Sequence, residues 1–162
     1  VVLNPDDLDP NIELAALDEE LAAVVLEAAN DAGWRLVGPI DLHVTASTDV
    51  PRGLLEVAGR VAGGPLPAWG QLISADGGAV VPLTMNRILI GRALDCDIRF
   101  SNAVVSRHHA AIARAGEDTS IRDLGSSNGT RINGDLIAKP VLLVPGCLVA
   151  FGDLAFTYRL VA

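Results

Sequence analysis

Cysteine is scarce in this sequence, which has only Cys96 and Cys147 among its 162 residues. Two cysteines are too few for a disulfide framework or a cysteine-rich metal site. The simplest interpretation is two small apolar side chains in a reducing compartment. The sequence does not decide whether these two cysteines form a disulfide, because pairing depends on spatial proximity and not on sequence.

Long apolar runs are also absent. The most apolar stretch, residues 141–151, is interrupted by Pro145 and Gly146, and its 11 residues are too few to cross a bilayer. No basic and apolar leader opens the chain. Because Val1 stands where a start methionine would, we expect a fragment or a trimmed product. These features predict a cytoplasmic protein without direct membrane insertion.

Basic residues are few in the first part of the chain. Residues 1–65 hold twelve acidic side chains and three arginines, for a net charge of −9, whereas residues 66–162 hold eight acidic and nine basic side chains, for +1. A nucleic-acid partner requires a basic surface, so we expect none. The arginines of the second part still allow a local anion site there.

The first part contains one helical pattern followed by strand patterns. Asp9 is a candidate N-cap, Pro10 suits the first turn, and Gly33 stands where a left-handed stop is expected. The apolar residues that recur at helical spacing are Ile12, Leu17, Leu21, Val24, Val25 and Ala28. Residues 1–3, 40–45 and 54–61 have the pattern of strands. We therefore predict a small acidic α+β domain over residues 1–62.

A glycine- and proline-rich stretch, residues 63–67, predicts a short linker. Beyond it, residues 68–162 show short apolar runs and no amphipathic helix. Between the runs lie hairpin connectors: Gly77-Gly78, Gly116-Glu117-Asp118, Asn133-Gly134 and Gly152-Asp153. Many short strands joined by regular turns predict a mostly β chain, with a β-sandwich or barrel in its second part.

Three polar clusters fall at loop positions of this β region. They are Gly91-Arg92, Ser106-Arg107-His108-His109, and the run from Asp123 to Thr130. Two arginines provide fork-shaped donors that suit phosphate, and a serine adds a short neutral donor. In the third cluster, an asparagine side chain can both donate to and accept from a peptide backbone. These residue types together predict an anion site that also grips a peptide.

The order Gly-Arg, then Ser-x-x-His, then Asp-x-x-Ser-x-Asn-Gly-Thr resembles the forkhead-associated (FHA) domain over about residues 66–162. This resemblance implies an 11-stranded β-sandwich that holds its ligand in loops at one end. It further implies that Arg92, Ser106 and Arg107 contact phosphate, that Ser127 touches the phosphothreonine or its neighbouring backbone, and that Asn128 holds the peptide backbone. The residues it implies as structural support of the site are Gly91, His109, Asp123, Gly129 and Thr130.

The resemblance predicts a phosphothreonine-peptide-binding adaptor in Ser/Thr-kinase signalling. The expected partners are threonine-phosphorylated proteins, among them a Ser/Thr kinase or its substrates. The first part is similar to an uncharacterised domain that precedes FHA in some actinobacterial proteins.

Two other functions compete with this one. The same fold can serve as a phosphate-independent interaction or dimerisation module. An enzyme would use Ser106, His109 and Asp123 as nucleophile, base and orienter. However, the chain has no Gly-x-Ser-x-Gly turn, no zinc-ligand spacing, no P-loop and no dinucleotide fingerprint. We therefore expect no catalysis, no cofactor and no metal.

Overall fold

The computed structural model describes residues 1–61 and 63–161, which divide into two compact units. The first unit comprises residues 1–33 and 40–65, and the second comprises residues 34–39 and those from 66 onward. The sequence predicted a continuous first domain, but residues 34–39 group with the second unit. Ala62 and Ala162, the predicted last residues of the two domains, lie outside the described residues. No helix in these described ranges is long and apolar enough to cross a bilayer.

The first unit is α+β, as predicted. Its described residues form one α-helix, α1 (Leu14–Asp31), a single 3-10 turn at Pro5–Asp7, and three two-residue strands, β1 (Val2–Leu3), β2 (Thr45–Ala46) and β3 (Leu55–Glu56). The central strand β1 pairs parallel with β2 and antiparallel with β3. Its buried residues are few and include Ala29, Val44 and Val50.

Helix α1 ends where the sequence predicted but begins later. Gly33 adopts the left-handed φ of 73° expected of a helix stop. The predicted cap, Asp9, instead accepts a hydrogen bond from the backbone N–H of Asn11 at 2.8 Å, and the N-cap is Glu13. The Asp9 side chain thus closes a separate turn, so the prediction of Asp9 as helix cap was wrong.

The strands of this unit are shorter than predicted. The backbone N–H of Val44 donates to the Asp18 carboxylate at 2.7 Å, so it is not available to a neighbouring strand. Only two residues of the predicted strand at 54–61 pair with β1, and several of its apolar side chains are exposed. The apolar residues alternate as predicted, but most residues of the predicted strands pair with no neighbouring strand in the described part of the unit.

The second unit is a sandwich of two sheets. Its strands, eleven within the described residues, are β4 (Gly70–Ser74), β5 (Val80–Leu83), β6 (Arg87–Gly91), β7 (Ile98–Arg99), β8 (Ala110–Ala115), β9 (Asp118–Asp123), β10 (Thr130–Ile132), β11 (Asp135–Leu136), β12 (Val141–Leu142), β13 (Leu148–Phe151) and β14 (Leu154–Leu160). One sheet has the order β11-β10-β13-β14-β4-β5 and the other β12-β9-β8-β6-β7. The predicted 11-stranded β-sandwich is confirmed.

Alternate residues of these strands form the core of the sandwich. Leu72, Ile90, Ile121 and Val149 are fully buried, as period-2 patterning requires of inward-facing positions. The hydroxyl of the buried Tyr158 bonds the Thr119 hydroxyl at 3.1 Å, so a polar group inside the core is satisfied.

The predicted hairpin connectors join neighbouring strands of the sandwich. Asn133 and Gly134 both have positive φ, 52° and 95°, between β10 and β11. Positive φ at both central residues defines the type I′ turn, which matches the twist of the strands it joins. The Asn-Gly prediction of a type I′ hairpin is therefore confirmed.

Residues 34–39 are attached to the sandwich by hydrogen bonds to one side chain, a backbone bridge and an ion pair. The side chain of Asn86, just before β6, accepts from the Leu36 N–H at 2.7 Å and donates to the Trp34 carbonyl at 3.1 Å. Val37 forms an isolated bridge with Met85, and Arg35 pairs with Asp97. The buried Asn86 side chain therefore makes two of the hydrogen bonds that hold this segment to the unit with the polar clusters.

Candidate functional site

Arg92 follows strand β6 directly and is exposed. Its backbone N–H donates to the Ser106 carbonyl at 3.0 Å, and the next N–H, of Ala93, donates to the Arg107 carbonyl at 3.1 Å. The preceding Gly91 has no space for a side chain, because a Cβ there would lie 2.1 Å from the Arg107 carbonyl oxygen. The first two polar clusters are thus pressed together, backbone against backbone, at a position that requires glycine.

His109 anchors the second cluster from inside the sandwich. It is fully buried, and its Nδ1 accepts the Ser106 backbone N–H at 3.0 Å. Because Nδ1 accepts, the proton of the ring must be on Nε2, which lies 3.2 Å from the Gly129 carbonyl and donates to it. The ring also meets Phe151 edge-on, with centroids 5.6 Å apart. One neutral histidine therefore connects the second cluster to the third.

Asp123 organises the loop between β9 and β10. One carboxylate oxygen accepts from the backbone N–H groups of Gly125 and Ser126, both at 2.9 Å, and the other accepts from the hydroxyls of Ser126 at 2.6 Å and Thr130 at 2.7 Å. Partial burial raises the pKa of Asp123, but these four hydrogen bonds outweigh it and leave the pKa below its ordinary value. An ionised carboxylate thus holds the loop in shape.

Ser127 and Asn128 are exposed at the tip of that loop. The Ser127 backbone N–H donates to the Ser106 hydroxyl oxygen at 2.9 Å, which leaves the Ser106 hydroxyl proton free to donate outward. Asn128 donates from its amide nitrogen to the Val104 carbonyl at 2.8 Å. The amide oxygen of Asn128 and its second amide N–H have no hydrogen-bond partner among the described residues, so these two groups are available to a ligand.

The acidic side chains near these arginines are already paired. Asp97 pairs with Arg35 and also accepts the Leu89 N–H at 2.7 Å. Asp95 lies 2.9 Å from His108, and this contact lowers the pKa of the Asp95 carboxyl. Within the described residues, neither Arg92 nor Arg107 has a carboxylate partner. The part of the chain that the structure describes therefore supplies no counterion to these two exposed guanidinium groups on adjoining loops.

The structure brings the predicted residues onto three connected loops. Hydrogen bonds link Arg92 to Ser106 through backbone, Ser106 to Ser127, and the 106–109 loop to Gly129 through His109. The sequence did not single out two further residues of these loops. The Val104 carbonyl accepts from Asn128, and the Arg99 Nε–H donates to the Arg92 carbonyl at 3.2 Å. An arginine seven residues from the Gly-Arg pair was the only signal for Arg99.

The two cysteines are free thiols, so the bridge left open by the sequence is not formed. Cys96 and its neighbours Asp95 and His108 are the one trio of potential metal ligands among the described residues, with donor atoms within 4.8 Å of one another. These groups already have partners: His108 contacts Asp95, and the Cys96 thiol donates to the Arg107 carbonyl at 3.2 Å. Burial raises the pKa of the Cys96 thiol, which favours the protonated form. We assign no metal to this trio.

Comparison with known proteins identifies the family of the sandwich unit. The family model of the FHA domain matches residues 88–152, which include all three polar clusters. This chain belongs to the FHA-domain family. A solved structure of the FhaA FHA domain, complexed with the intracellular domain of Rv3910, is 30% identical, covers 56% of this chain and 99% of that one, and gives a TM-score of 0.52.

Two curated relatives extend the comparison. The Ki-67 proliferation marker of Mus musculus is 36% identical over 86 residues, or 53% of this chain and 3% of that protein. The transcriptional regulatory protein EmbR of Mycobacterium tuberculosis is 31% identical over 159 residues, or 97% of this chain and 38% of EmbR. An EmbR structure in complex with a low-affinity phosphopeptide is 36% identical, covers 60% of this chain and 26% of that one, and has a TM-score of 0.56. The FHA chain thus spans well under half of either curated relative.

Proposed function

We propose that this chain is an adaptor that binds phosphothreonine peptides in Ser/Thr-kinase signalling. The observation that carries the proposal is a pair of exposed arginines on adjoining loops, Arg92 and Arg107, which have no carboxylate partner among the described residues. A phosphothreonine brings between about −1.5 and −2 charges and three acceptor oxygens to such a place. The EmbR structure with a phosphopeptide supports the same ligand class.

Each predicted residue has a group free for this task. The Arg92 and Arg107 guanidinium groups and the Ser106 hydroxyl proton would meet the phosphate oxygens. The Ser127 backbone N–H is occupied by Ser106, so any contact from Ser127 is expected through its hydroxyl. Asn128 would hold the peptide backbone through its amide oxygen and remaining N–H.

The proposed action is binding without catalysis. In a Ser-His-Asp triad the imidazole accepts a hydrogen bond from the serine hydroxyl and donates one to the aspartate carboxylate. Here the His109 ring instead binds the Ser106 backbone N–H and the Gly129 carbonyl, and Asp123 binds Ser126 and Thr130. These three residues hold the loops and do not form a proton relay.

The proposed partners are threonine-phosphorylated proteins, including a Ser/Thr kinase or its substrates, in the cytoplasm. Nucleic acid is not a proposed partner, because the acidic first unit would repel its phosphate backbone. The predicted bounds of the acidic domain and the linker also stay proposals.

Binding of one peptide in phosphothreonine, phosphoserine and unphosphorylated forms tests the proposed function. We expect the phosphothreonine form to bind at least tenfold more tightly than the unphosphorylated form, since hydrogen bonds to charged groups contribute about 1.5–3 kcal/mol each. Calorimetry on the whole chain measures this. Equal affinity for the phosphorylated and unphosphorylated forms would instead support the phosphate-independent interaction module.

A further inference from the structure

The sheet of the first unit ends in an apolar edge. Its order is β2-β1-β3, so β3 is an edge strand. Along residues 54–61 the exposed fractions of four apolar residues lie between 60% and 88%; they are Leu54, Leu55, Val57 and Val61. An exposed apolar edge strand is a template for pairing with another chain, and most proteins cover or charge such edges. This edge therefore has the properties of an interaction surface.

The backbone beyond β3 is open to further pairing. Outside the β1–β3 pair, the described residues from Val57 to Val61 make no backbone hydrogen bond with one another or with the rest of the described chain. None of these five residues has a positive φ, not even Gly59, so no left-handed turn interrupts the segment. The segment can therefore extend β3 if a second strand lies beside it.

The side chains of this segment are complementary to those of a second copy. Two copies that pair antiparallel about Ala58 place Glu56 of each opposite Arg60 of the other, because both residues lie two positions from Ala58. Both side chains are exposed, and neither has an ion-pair partner among the described residues. On the other face of the strand, Leu55 lies opposite Val61 of the second copy. Opposite charges and apolar pairs across neighbouring strands both stabilise a sheet, so the segment matches itself in charge and in apolar surface.

We propose that residues 54–61 are a dimerisation edge, through which two copies of this chain pair β3 with β3 about a two-fold axis at Ala58. The two sheets then form one sheet of six strands, in the order β2-β1-β3-β3-β1-β2. Strands of two residues are shorter than the usual range of about 3–10, so a second partner for β3 stabilises this sheet. A two-fold axis needs one self-complementary surface and closes after two copies, so the pairing produces dimers and not fibres. Dimerisation belongs to the first unit and does not depend on phosphopeptide binding.

The acidic charge of the first part limits the strength of this dimer. Residues 1–65 carry a net charge of −9, so two copies repel each other, and the edge itself is small. We expect a concentration-dependent dimer that is the main species at about 100 µM chain in about 0.15 M salt. Analytical ultracentrifugation of the whole chain measures this, after phosphatase treatment to remove any association through phosphothreonine. A chain that stays monomeric under these conditions overturns the proposal.

Val57→Asp tests the apolar face of the edge. We expect it to weaken dimerisation by about tenfold or more, because a carboxylate in the apolar row of the paired strands loses water without gaining a partner. Val24→Asp is the matched control, since Val24 on α1 is 59% exposed against 69% for Val57 and the change in charge is the same. This control should dimerise like wild type. A dimer that persists unchanged in Val57→Asp, or that is lost equally in Val24→Asp, contradicts pairing through this edge.

Charge reversal tests the register of the pair. Glu56→Arg and Arg60→Glu should each weaken dimerisation by about fivefold, because each places like charges opposite one another at two points. The double variant with both reversals should restore wild-type affinity. Net charge alone predicts a different result, since Glu56→Arg makes the chain less acidic and would then strengthen association, whereas the double variant keeps the net charge of −8. Stronger association in Glu56→Arg, or no restoration in the double variant, overturns the register and the proposal with it.

Discussion

Arg92 and Arg107 differ in how firmly their loops hold them. The Arg92 carbonyl accepts the Arg99 Nε–H, and its N–H is fixed to Ser106, so the backbone on both sides of the Arg92 side chain is restrained. Arg107 is restrained through its carbonyl, which accepts from Ala93 and from Cys96. A loop backbone that is already fixed loses less conformational freedom when its arginine binds phosphate, which favours a larger contribution to affinity.

Arg92→Ala should therefore weaken phosphothreonine-peptide binding by about 2–4 kcal/mol, the cost of truncating one partner of a desolvated charge pair. Calorimetric titration of wild type and variant measures the difference. Arg122→Ala, which removes an exposed arginine on β9, should change affinity little. Unchanged binding by Arg92→Ala would show that phosphate is held elsewhere.

Asp123→Asn replaces an acceptor of four hydrogen bonds with a group that must donate on one side. We expect a loss of about 1–3 kcal/mol of unfolding free energy at pH 7. Because the folded-state pKa of Asp123 is lowered, its contribution is present at neutral pH and is lost as pH falls through and below its ordinary value of 3.8.

The stability gap between wild type and Asp123→Asn should therefore be greatest near pH 7 and should close in acid. Denaturant unfolding at several pH values measures it. Asp135→Asn, on the exposed two-residue strand β11, serves as the control and should show no such gap. A gap that is constant down to pH 3 would contradict the role of the ionised carboxylate.

At this scale, the sequence identified the polar residues of the loops but not their contacts. Ser106, His109 and Asp123 could be named because residue type and order are visible in the sequence. Their spacing did not show that His109 accepts a backbone N–H or that Asp123 binds two hydroxyls, because these contacts depend on how three loops meet in space.

At the scale of elements, the junction between β6 and the 106–109 loop is the tightest in the site. Gly91 ends β6, and its neighbours in space are the Arg107 carbonyl and the Cys96 thiol. The loop can approach the strand this closely only because position 91 has no Cβ. The position of the Ser106 and Arg107 side chains therefore depends on a residue that has no side chain.

Gly91→Ala should displace the 106–109 loop, since the new Cβ would lie 2.1 Å from a backbone oxygen. We expect a loss of roughly 1–3 kcal/mol of stability from overpacking, together with weaker phosphopeptide binding. Gly59→Ala is a suitable control, because a Cβ there meets nothing within 4 Å. Chemical-shift changes at Ser106 and Arg107 would report the displacement, and unaltered shifts would contradict it.

The sandwich was more predictable than the first unit. In residues 68–161 each apolar run is bounded by a turn signal, and Asn133-Gly134 states its own turn type, so pattern and structure agree. In the first unit, Asp18 takes the N–H of Val44, and Asp9 takes that of Asn11. Side-chain acceptors that compete for backbone donors cannot be read from apolar periodicity, so the helix start and the strand lengths were wrong.

At the scale of the whole molecule, the division into units does not follow the chain. Residues 34–39 belong to the FHA unit although the residues on both sides of them belong to the other. Asn86, which holds this segment, is only 7% exposed. Removing the segment would take two hydrogen bonds from the Asn86 side chain, each of which contributes about 0.5–1.5 kcal/mol.

A chain that begins at Leu66 should thus be less stable than one that begins at Trp34. Loss of the two Asn86 hydrogen bonds predicts about 1–2 kcal/mol, and for a domain near 100 residues each kcal/mol lowers Tm by about 4–8 °C. Thermal unfolding of the two shortened chains measures the difference. Asn86→Ala in the full chain should lower Tm in the same direction, and equal Tm values for the shortened chains would contradict the role of the segment.

The charge distribution has a consequence for the speed of binding. An approaching anionic phosphopeptide first meets a molecule of net charge −8, and meets Arg92 and Arg107 only near contact. Salt screens the distant repulsion over a Debye length of about 10 Å at 0.1 M. Stopped-flow mixing should show that salt accelerates association while it accelerates dissociation more. Affinity would then fall with ionic strength because complexes live for a shorter time, although encounters become more frequent.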